Sequence, residues 1–386
     1  MAPSLRKWWA QTALLLPGVL VVSLVTVGVI GVIVLLLGGD PAKALLAILA
    51  GSIGTPTSVA ETLIKTTPLV FTGLSVAVAF RCGVWNIGAE GQFLAGMLGA
   101  AVAALYLPPL PPFVTVALCL LAGCLAGGLW AVGPALLKLK RDVPEVISTI
   151  MLNFLAVYLI EYLVRGPMHD PTSASDWSPL FPPHTYLPRL QDLTGIRAVG
   201  GGSLLLSGGQ PVLALGIEVG RLHVGVALAF LVVPLVWLWL TRTGVGFRTR
   251  AVGLNPVAAA TAGLPVARTL AIAFVTSGAL AGLGGAVEVL GLIQRMHRYA
   301  PGYPGYGFSG IAVALLAQLH PAGVLFSALF FGALAAGCGQ MQRAAGIPVH
   351  VAYVIQAAVV LLLISVRLSA ITFRFGAKRR GAGDGR

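Results

Sequence analysis

Charge is what this sequence has least of. Asp, Glu, Lys and Arg make up 10% of its 386 residues, against roughly a quarter in soluble domains. A water-exposed surface of ordinary size cannot be built from so few, which excludes a soluble fold. Acids are the scarcer sign, 12 against 25 Lys and Arg, for a net charge of +13. In a soluble chain that excess would point to nucleic acid. Here the basic residues gather at the ends of apolar runs, the positive-inside pattern of a membrane protein, and no nucleic-acid partner is expected. Cysteine is sparse too: Cys82, Cys119, Cys124 and Cys338 lie within or beside apolar runs with no CxxC pair, so buried structural thiols are expected rather than a metal or redox role. Catalytic and nucleotide signatures are missing as well. There is no GxxxxGK(S/T) phosphate loop, no GxGxxG after a strand, no HExxH and no GxSxG elbow. The six histidines lie in loops or at the ends of apolar runs without metal-ligand spacing. No enzyme, metal or cofactor is expected on this chain, and any coupling to ATP and Mg must come from a partner.

Apolar sequence is what abounds: 57% hydrophobic residues, a mean hydropathy of +0.92 and 49 glycines. About 20 apolar residues cross a hydrocarbon core of about 30 Å, and glycine there suits close helix packing. Ten spans are expected, near residues 12–37, 58–80, 87–106, 112–137, 144–164, 222–241, 267–292, 306–319, 321–339 and 348–367. The first follows Arg6-Lys7-Trp8-Trp9, lacks a small-residue cleavage site and reads as a retained span. The run 306–319 is too short to cross alone and reads as a half-helix or broken helix facing protein. Ten spans place both termini on one side. Most of the Lys and Arg fall there too, among them Arg6, Lys7, Arg81, Lys138, Lys140, Arg141, Arg242, Arg248, Arg250, Arg268, Lys378, Arg379 and Arg380. That side is the cytoplasm of a bacterial inner or plasma membrane.

The expected fold is an all-α integral membrane protein, a single domain over 1–386 in contact with membrane lipids. It has a five-helix half at about 12–164, an outer loop at 165–221, a second half of opposite topology at about 222–367 and a cytoplasmic tail at 368–386. Inverted halves are common in transporters, with the path at their interface. The outer loop is rich in Pro, Gly and Ser and carries Trp177 and Tyr186. It reads as a folded cap or partner-docking surface, or as a connector.

Three segments carry candidate chemistry. In the first, Arg81-Cys82-Gly83-Val84-Trp85-Asn86-Ile87-Gly88-Ala89-Glu90-Gly91-Gln92 interrupts two apolar runs. An intramembrane carboxylate such as Glu90 is costly and points to a functional site, and a glycine-broken helix can line a path. A re-entrant structural turn is the alternative. In the second, Pro144 suits a first helical turn with Glu145 at its positive end. Glu145, Thr149 and Asn153 share one face with Ser148 alongside; they point inward, or Glu145 caps the helix and Asn153 bonds a neighbour. In the third, Asn255-Pro256 caps and starts a short helix over Val257–Ala262 that ends at Gly263. A small-residue helix on the basic side has no spanning role. It offers a knob for another protein's groove, or it is a connector.

The patterns Asn86-Ile87-Gly88-x-Glu90-Gly91-Gln92, Glu145-Val146-Ile147-Ser148-Thr149-Ile150-Met151-Leu152-Asn153, Ala251-Val252-Gly253-x-Asn255-Pro256 and Gly307-Phe308-Ser309-Gly310, the last followed by His320-Pro321, occur in order between about residues 60 and 365. Together they resemble the permeases of bacterial ABC importers, in the branched-chain amino acid, simple-sugar and nucleoside permease family, and most of all its nucleoside branch. The resemblance implies about ten spans and a loop between the sixth and seventh that docks on an ATP-binding subunit. Gly253, Asn255, Pro256, Ala259, Ala260 and Gly263 would form that coupling loop; Leu254 stands where many relatives carry an acid. It implies as partners a second, shorter permease, two ATP-binding subunits and an extracytoplasmic substrate-binding lipoprotein. A nucleoside, or next a simple sugar, would pass along Asn86, Glu90, Gln92, Glu145, Ser148, Thr149 and Asn153. The rival reading is a secondary transporter using Glu90, Glu145 or Glu288 for ion coupling. It accounts for inverted halves but not for the basic loop helix.

Overall fold

The computed structural model describes residues 27–36, 38–189, 221–298, 305–348 and positions 351, 354, 357 and 358. Helices account for nearly all of this: α1 (Val27–Leu36), α2 (Pro41–Ile53), α3 (Pro56–Arg81), α4 (Ala89–Tyr106), α5 (Pro112–Arg141), α6 (Glu145–Arg165), α7 (Gly225–Arg242), α8 (Gly244–Leu254), α9 (Pro256–Thr261), α10 (Val266–Glu288), α11 (Tyr306–Leu316) and α12 (Pro321–Ala345). Among the described residues, extended pairing is limited to two isolated bridges. Seven helices are long and apolar enough to cross a membrane: α3 to α7, α10 with its continuation to Ile293, and α12. The count of ten in two inverted halves is therefore not established. Residues 12–26 of the first expected span and most of 348–367 lie outside the described residues. The unexpected α2 occupies a stretch read as span-free, and α11 is the expected short helix, 11 residues long.

The chain divides into two compact units, residues 52–336 and residues 1–51 with 337–386. In the smaller, Gly38 (φ +73) turns the chain between α1 and α2, and Gly337 abuts the Ile48 carbonyl so closely that a Cβ would collide. In the larger, α3 lies deepest, with 83% of its apolar window buried against 28% for α5 and for α6. Leu121, Leu125 and Leu129 of α5, four residues apart, form an exposed apolar stripe that suits hydrocarbon. Thr55 caps α3 by accepting from the Ser58 amide at 3.1 Å, with Pro56 in the first turn. Inside it, Thr66, Thr67 and Thr72 bond carbonyls one turn back.

Glycine sets the packing of α4, α5 and α10. Gly96 lies directly on the Gly282 backbone, Gly127 on Gly278 and Gly282, and Gly285 on the Phe93 carbonyl, each without room for a Cβ. Backbones this close give van der Waals contact that lipid cannot replace. Beyond α10 a π-helical turn, Val289–Ile293, ends at Gln294 in a left-handed conformation (φ +60). Here the first part of loop 165–221 is a folded strap rather than a loose connector. Ser178 N–H donates to the Met296 carbonyl (2.8 Å), Phe181 N–H to Gln294 (3.0 Å) and Leu187 N–H to Leu290 (3.2 Å). Residues 190–220 of that loop lie outside the described residues.

Candidate functional site

The break between α3 and α4 is a hydrogen-bonded junction. Gly83 takes a left-handed φ of +79, and the Asn86 amide then bonds the Val84 carbonyl two residues back at 3.0 Å, a tight turn ahead of Gly88. Asn86, fully buried, donates from Nδ2 to Gln92 Oε1 (2.9 Å) and Ser277 Oγ (2.8 Å). Its Oδ1 accepts from the Gly88 amide (2.9 Å) and from Gln92 Nε2 (3.2 Å). Ser277 on α10 in turn meets Ser75 on α3 at 2.9 Å. One side chain thereby ties the break to α4 and α10, and through Ser277 to α3.

The start of α4 is Gly88, which supplies no side-chain cap. Another helix compensates. Asn153 on α6 accepts from the Gly91 amide at 2.8 Å and donates to the Ile87 carbonyl at 3.0 Å, filling a donor that a helix start leaves orphaned. Glu90, in the first turn of α4 and buried, accepts from the Gly307 amide at 2.6 Å, in the first turn of α11. Its carboxylate thus lies at the positive ends of two helices, which favours negative charge there. Gly307 has no room for a Cβ against Glu90.

Of the residues expected to share the α6 face, Ser148, Thr149 and Asn153 are buried and Glu145 is not brought in with them. Thr149 and Ser148 bond the Glu145 carbonyl (2.7 and 3.1 Å). The Glu145 carboxylate stands at the rim, accepting from the Trp85 amide (3.4 Å) and facing Lys138 Nζ (3.5 Å). It ties the break to α5 and α6 from outside instead of capping its own helix. Ser75, Ser277 and Thr72 complete the site and escaped the sequence reading, because serine and threonine in apolar helices carry no mark of their partners, and Gly307 was singled out only as part of a family pattern. Thr72 Oγ1, for instance, donates to the Tyr306 carbonyl at 2.9 Å.

The loop helix forms as expected. Asn255 accepts from the Ala258 amide at 3.0 Å and Pro256 occupies the first turn. At the other end Gly263 (φ +78) bonds Ala260 (2.9 Å) and Leu264 bonds Ala259 (3.0 Å), a Schellman closure. Its faces differ from the expected knob. Ala259 is buried, packed in one cluster with Cys82, Val252 and Phe274, and Gly253 lies on the Arg81 carbonyl with no space for a Cβ. These two hold the loop onto the rest of the chain. Leu254 and Val257 face away, 89% and 71% exposed, and Ala260 is exposed beside them.

Below this loop Arg81 Nε donates to the Leu319 carbonyl at 3.1 Å, in a turn where Gln318 and Leu319 are both left-handed. Arg250 Nη1 and His320 Nδ1 are buried without a hydrogen-bond partner. Burial, and then the Arg81 charge, push the His320 imidazolium below its usual range.

A family model described as the permease component of the branched-chain amino acid transport system matches residues 58–364. The chain belongs to this permease family. It is similar to the glucose ABC transporter permease protein TsgB13 of Haloferax volcanii, 34% identical over 90% of this chain and 86% of that one. It is similar to the guanosine ABC transporter permease protein NupP of Bacillus subtilis, 33% identical over 91% and 94%. The nucleoside ABC transporter permease protein NupB of Lactococcus lactis is 31% identical over 86% of each. No solved structure matches the chain. The permease is thus a multi-pass protein of the cell membrane, and these relatives are transport subunits rather than enzymes.

Proposed function

We propose that this permease is the membrane-spanning subunit of an ATP-driven nucleoside importer. The observation that carries the reading is the nearly end-to-end match to NupP and NupB, named for guanosine and nucleoside transport. Two ATP-binding subunits, using ATP and Mg, would engage the exposed Leu254–Val257 face of the loop helix. A second, shorter permease would complete the path, and an extracytoplasmic binding lipoprotein would deliver solute to the side of residues 165–221. Both termini would then be cytoplasmic. A nucleoside suits this chain because its hydroxyls and base edges are read by amides and hydroxyls, and the junction of Asn86, Gln92, Asn153, Ser75 and Ser277 offers these with a single carboxylate, Glu90. In the conformation described, Asn86, Gln92, Ser75 and Ser277 bond one another, while Asn153 and Glu90 bond backbone groups. Alternating access would free them in turn as the loop helix moves.

Glucose is the second reading, on the match to TsgB13. The test is uptake by vesicles holding the complete transporter and its binding protein. ATP-dependent accumulation of guanosine, with little of glucose, is expected. Accumulation without ATP-binding subunits, driven by an ion gradient, would overturn the importer reading in favour of a secondary carrier.

A further inference from the structure

The strap after α6 and the segment after α10 enclose a cavity of about 670 Å3 between them. Its wall carries Ser175, Asp176, Trp177, Arg295, His297 and Arg298. The strap is pinned in place: Trp177 and His297 form an antiparallel bridge, and Met296 N–H donates to Ser178 Oγ at 2.9 Å. The charges around this wall do not balance. Asp176 faces Arg165 at 3.1 Å and Arg298 at 3.6 Å. Arg295 lies over the Trp177 ring, 3.4 Å from its centroid, and belongs to none of the ion pairs among the described residues. Asp176 thus serves two guanidiniums, and the carboxylate within electrostatic range of Arg295 is that of Asp170, so three guanidiniums meet two carboxylates and the excess is positive. A guanidinium stacked on an indole has its face occupied while its edge N–H groups stay free to bind a carboxylate. The side chains of Arg165, Asp176 and Arg298 are about half exposed, so the rim can be reached from outside.

A loose connector needs no such fixture. Arginine and tryptophan held rigidly beside a cavity have the composition of an interface hot spot, and an unbalanced rim of one sign steers a partner of the other. We infer that this cavity is the docking socket for an acidic surface of a protein partner, with Arg295 on Trp177 as its anchor. On the function proposed above, that partner is the extracytoplasmic binding protein. The inference rests on that reading and on its placement of residues 165–221 outside.

The experiment uses the assembled transporter in lipid nanodiscs, titrated with its own binding protein while affinity and stimulated ATP hydrolysis are followed. Arg295→Glu is expected to weaken docking by about tenfold or more and to flatten its dependence on salt between about 50 and 300 mM. Asp176→Asn adds one net positive charge and is expected to tighten docking instead. A merely structural role predicts weaker docking for both variants, and that pattern would overturn the inference. Wild-type affinity and salt dependence in Arg295→Glu would overturn it too. So would displacement of the binding protein by inorganic phosphate at constant ionic strength, which would assign the cavity to a small anion. If no binding protein docks on the wild-type complex at all, the importer reading has failed rather than the socket.

Discussion

The junction at residues 86–92 and the loop helix at 254–263 are built on opposite principles. At the junction the amides of Asn86 and Asn153 are buried and spent on bonds within the chain. At the loop helix, Leu254 at the end of α8 and Val257 in α9 stand exposed among the described residues. A side chain that satisfies its neighbours is hard to replace without disturbing the fold; one that faces outward can be replaced at little cost to the fold. The two regions therefore call for different experiments, although both were first singled out as functional.

The sharpest way to break the contrast is Asn86→Leu. It leaves the Gly88 amide and the Gln92 amide without their partner, with Ser277 keeping Ser75, and an unsatisfied buried polar group costs about 1–3 kcal/mol. The purified complex is expected to lose several degrees of thermal midpoint along with transport. Loss of transport at an unchanged midpoint would mean that Asn86 serves the path rather than the packing. Next comes Gly253→Val. Its Cβ would sit in the Arg81 carbonyl, so the loop must lift from α3. Copies of the permease should still reach the membrane while co-purification of the ATP-binding subunits falls sharply. Retention of those subunits at the wild-type level would show that the loop need not lie on α3.

These two regions also show what could be read from the chain alone. Asn255, Pro256 and Gly263 act within a few residues of their own positions, so both ends of α9 were legible. Which face of so short a helix turns inward depends on contacts with Cys82 and Phe274, so the inward packing of Ala259, named for the coupling loop, was not legible. Asn86, Glu90 and Gln92 stood out because amides and carboxylates in apolar sequence are expensive. Ser277 did not, and Gly307 did so only within a family pattern, since nothing local ties either to a partner about two hundred positions away. The 13 residues of α2 are fewer than a span requires, so a search by length passed over them. The strap at residues 174–189 is held mainly by backbone hydrogen bonds to the end of α10, which leave no trace in a Pro-rich composition.

A smaller effect separates the two faces of α9. Val257→Glu should weaken binding of the ATP-binding subunits and leave the thermal midpoint of the permease unchanged, because Val257 is 71% exposed. Ala259→Trp should lower both, since overfilling a packed site costs about 1–3 kcal/mol. Equal loss of stability in the two variants would erase the distinction between faces.

The smallest expected effect concerns Arg250, which lies within electrostatic range of Arg81. Its Nη1 is buried without an acceptor, and none of the ion pairs among the described residues includes it. Methionine keeps most of the length and apolar stem through which arginine packs, while removing the charge and the orphaned donor. A buried unsatisfied donor costs about 1–3 kcal/mol, and a second guanidinium near Arg81 adds repulsion to that. Arg250→Met should therefore hold or slightly raise the thermal midpoint of the isolated permease, the reverse of Asn86→Leu. Both substitutions delete a buried polar group, and they differ in whether it is bonded in this conformation. The measurement is a melting curve in detergent for each variant beside the wild type. A clear fall for Arg250→Met would show that Arg250 finds an acceptor after all. The cluster with Arg81 and His320 would then join the junction as a satisfied network instead of standing apart from it.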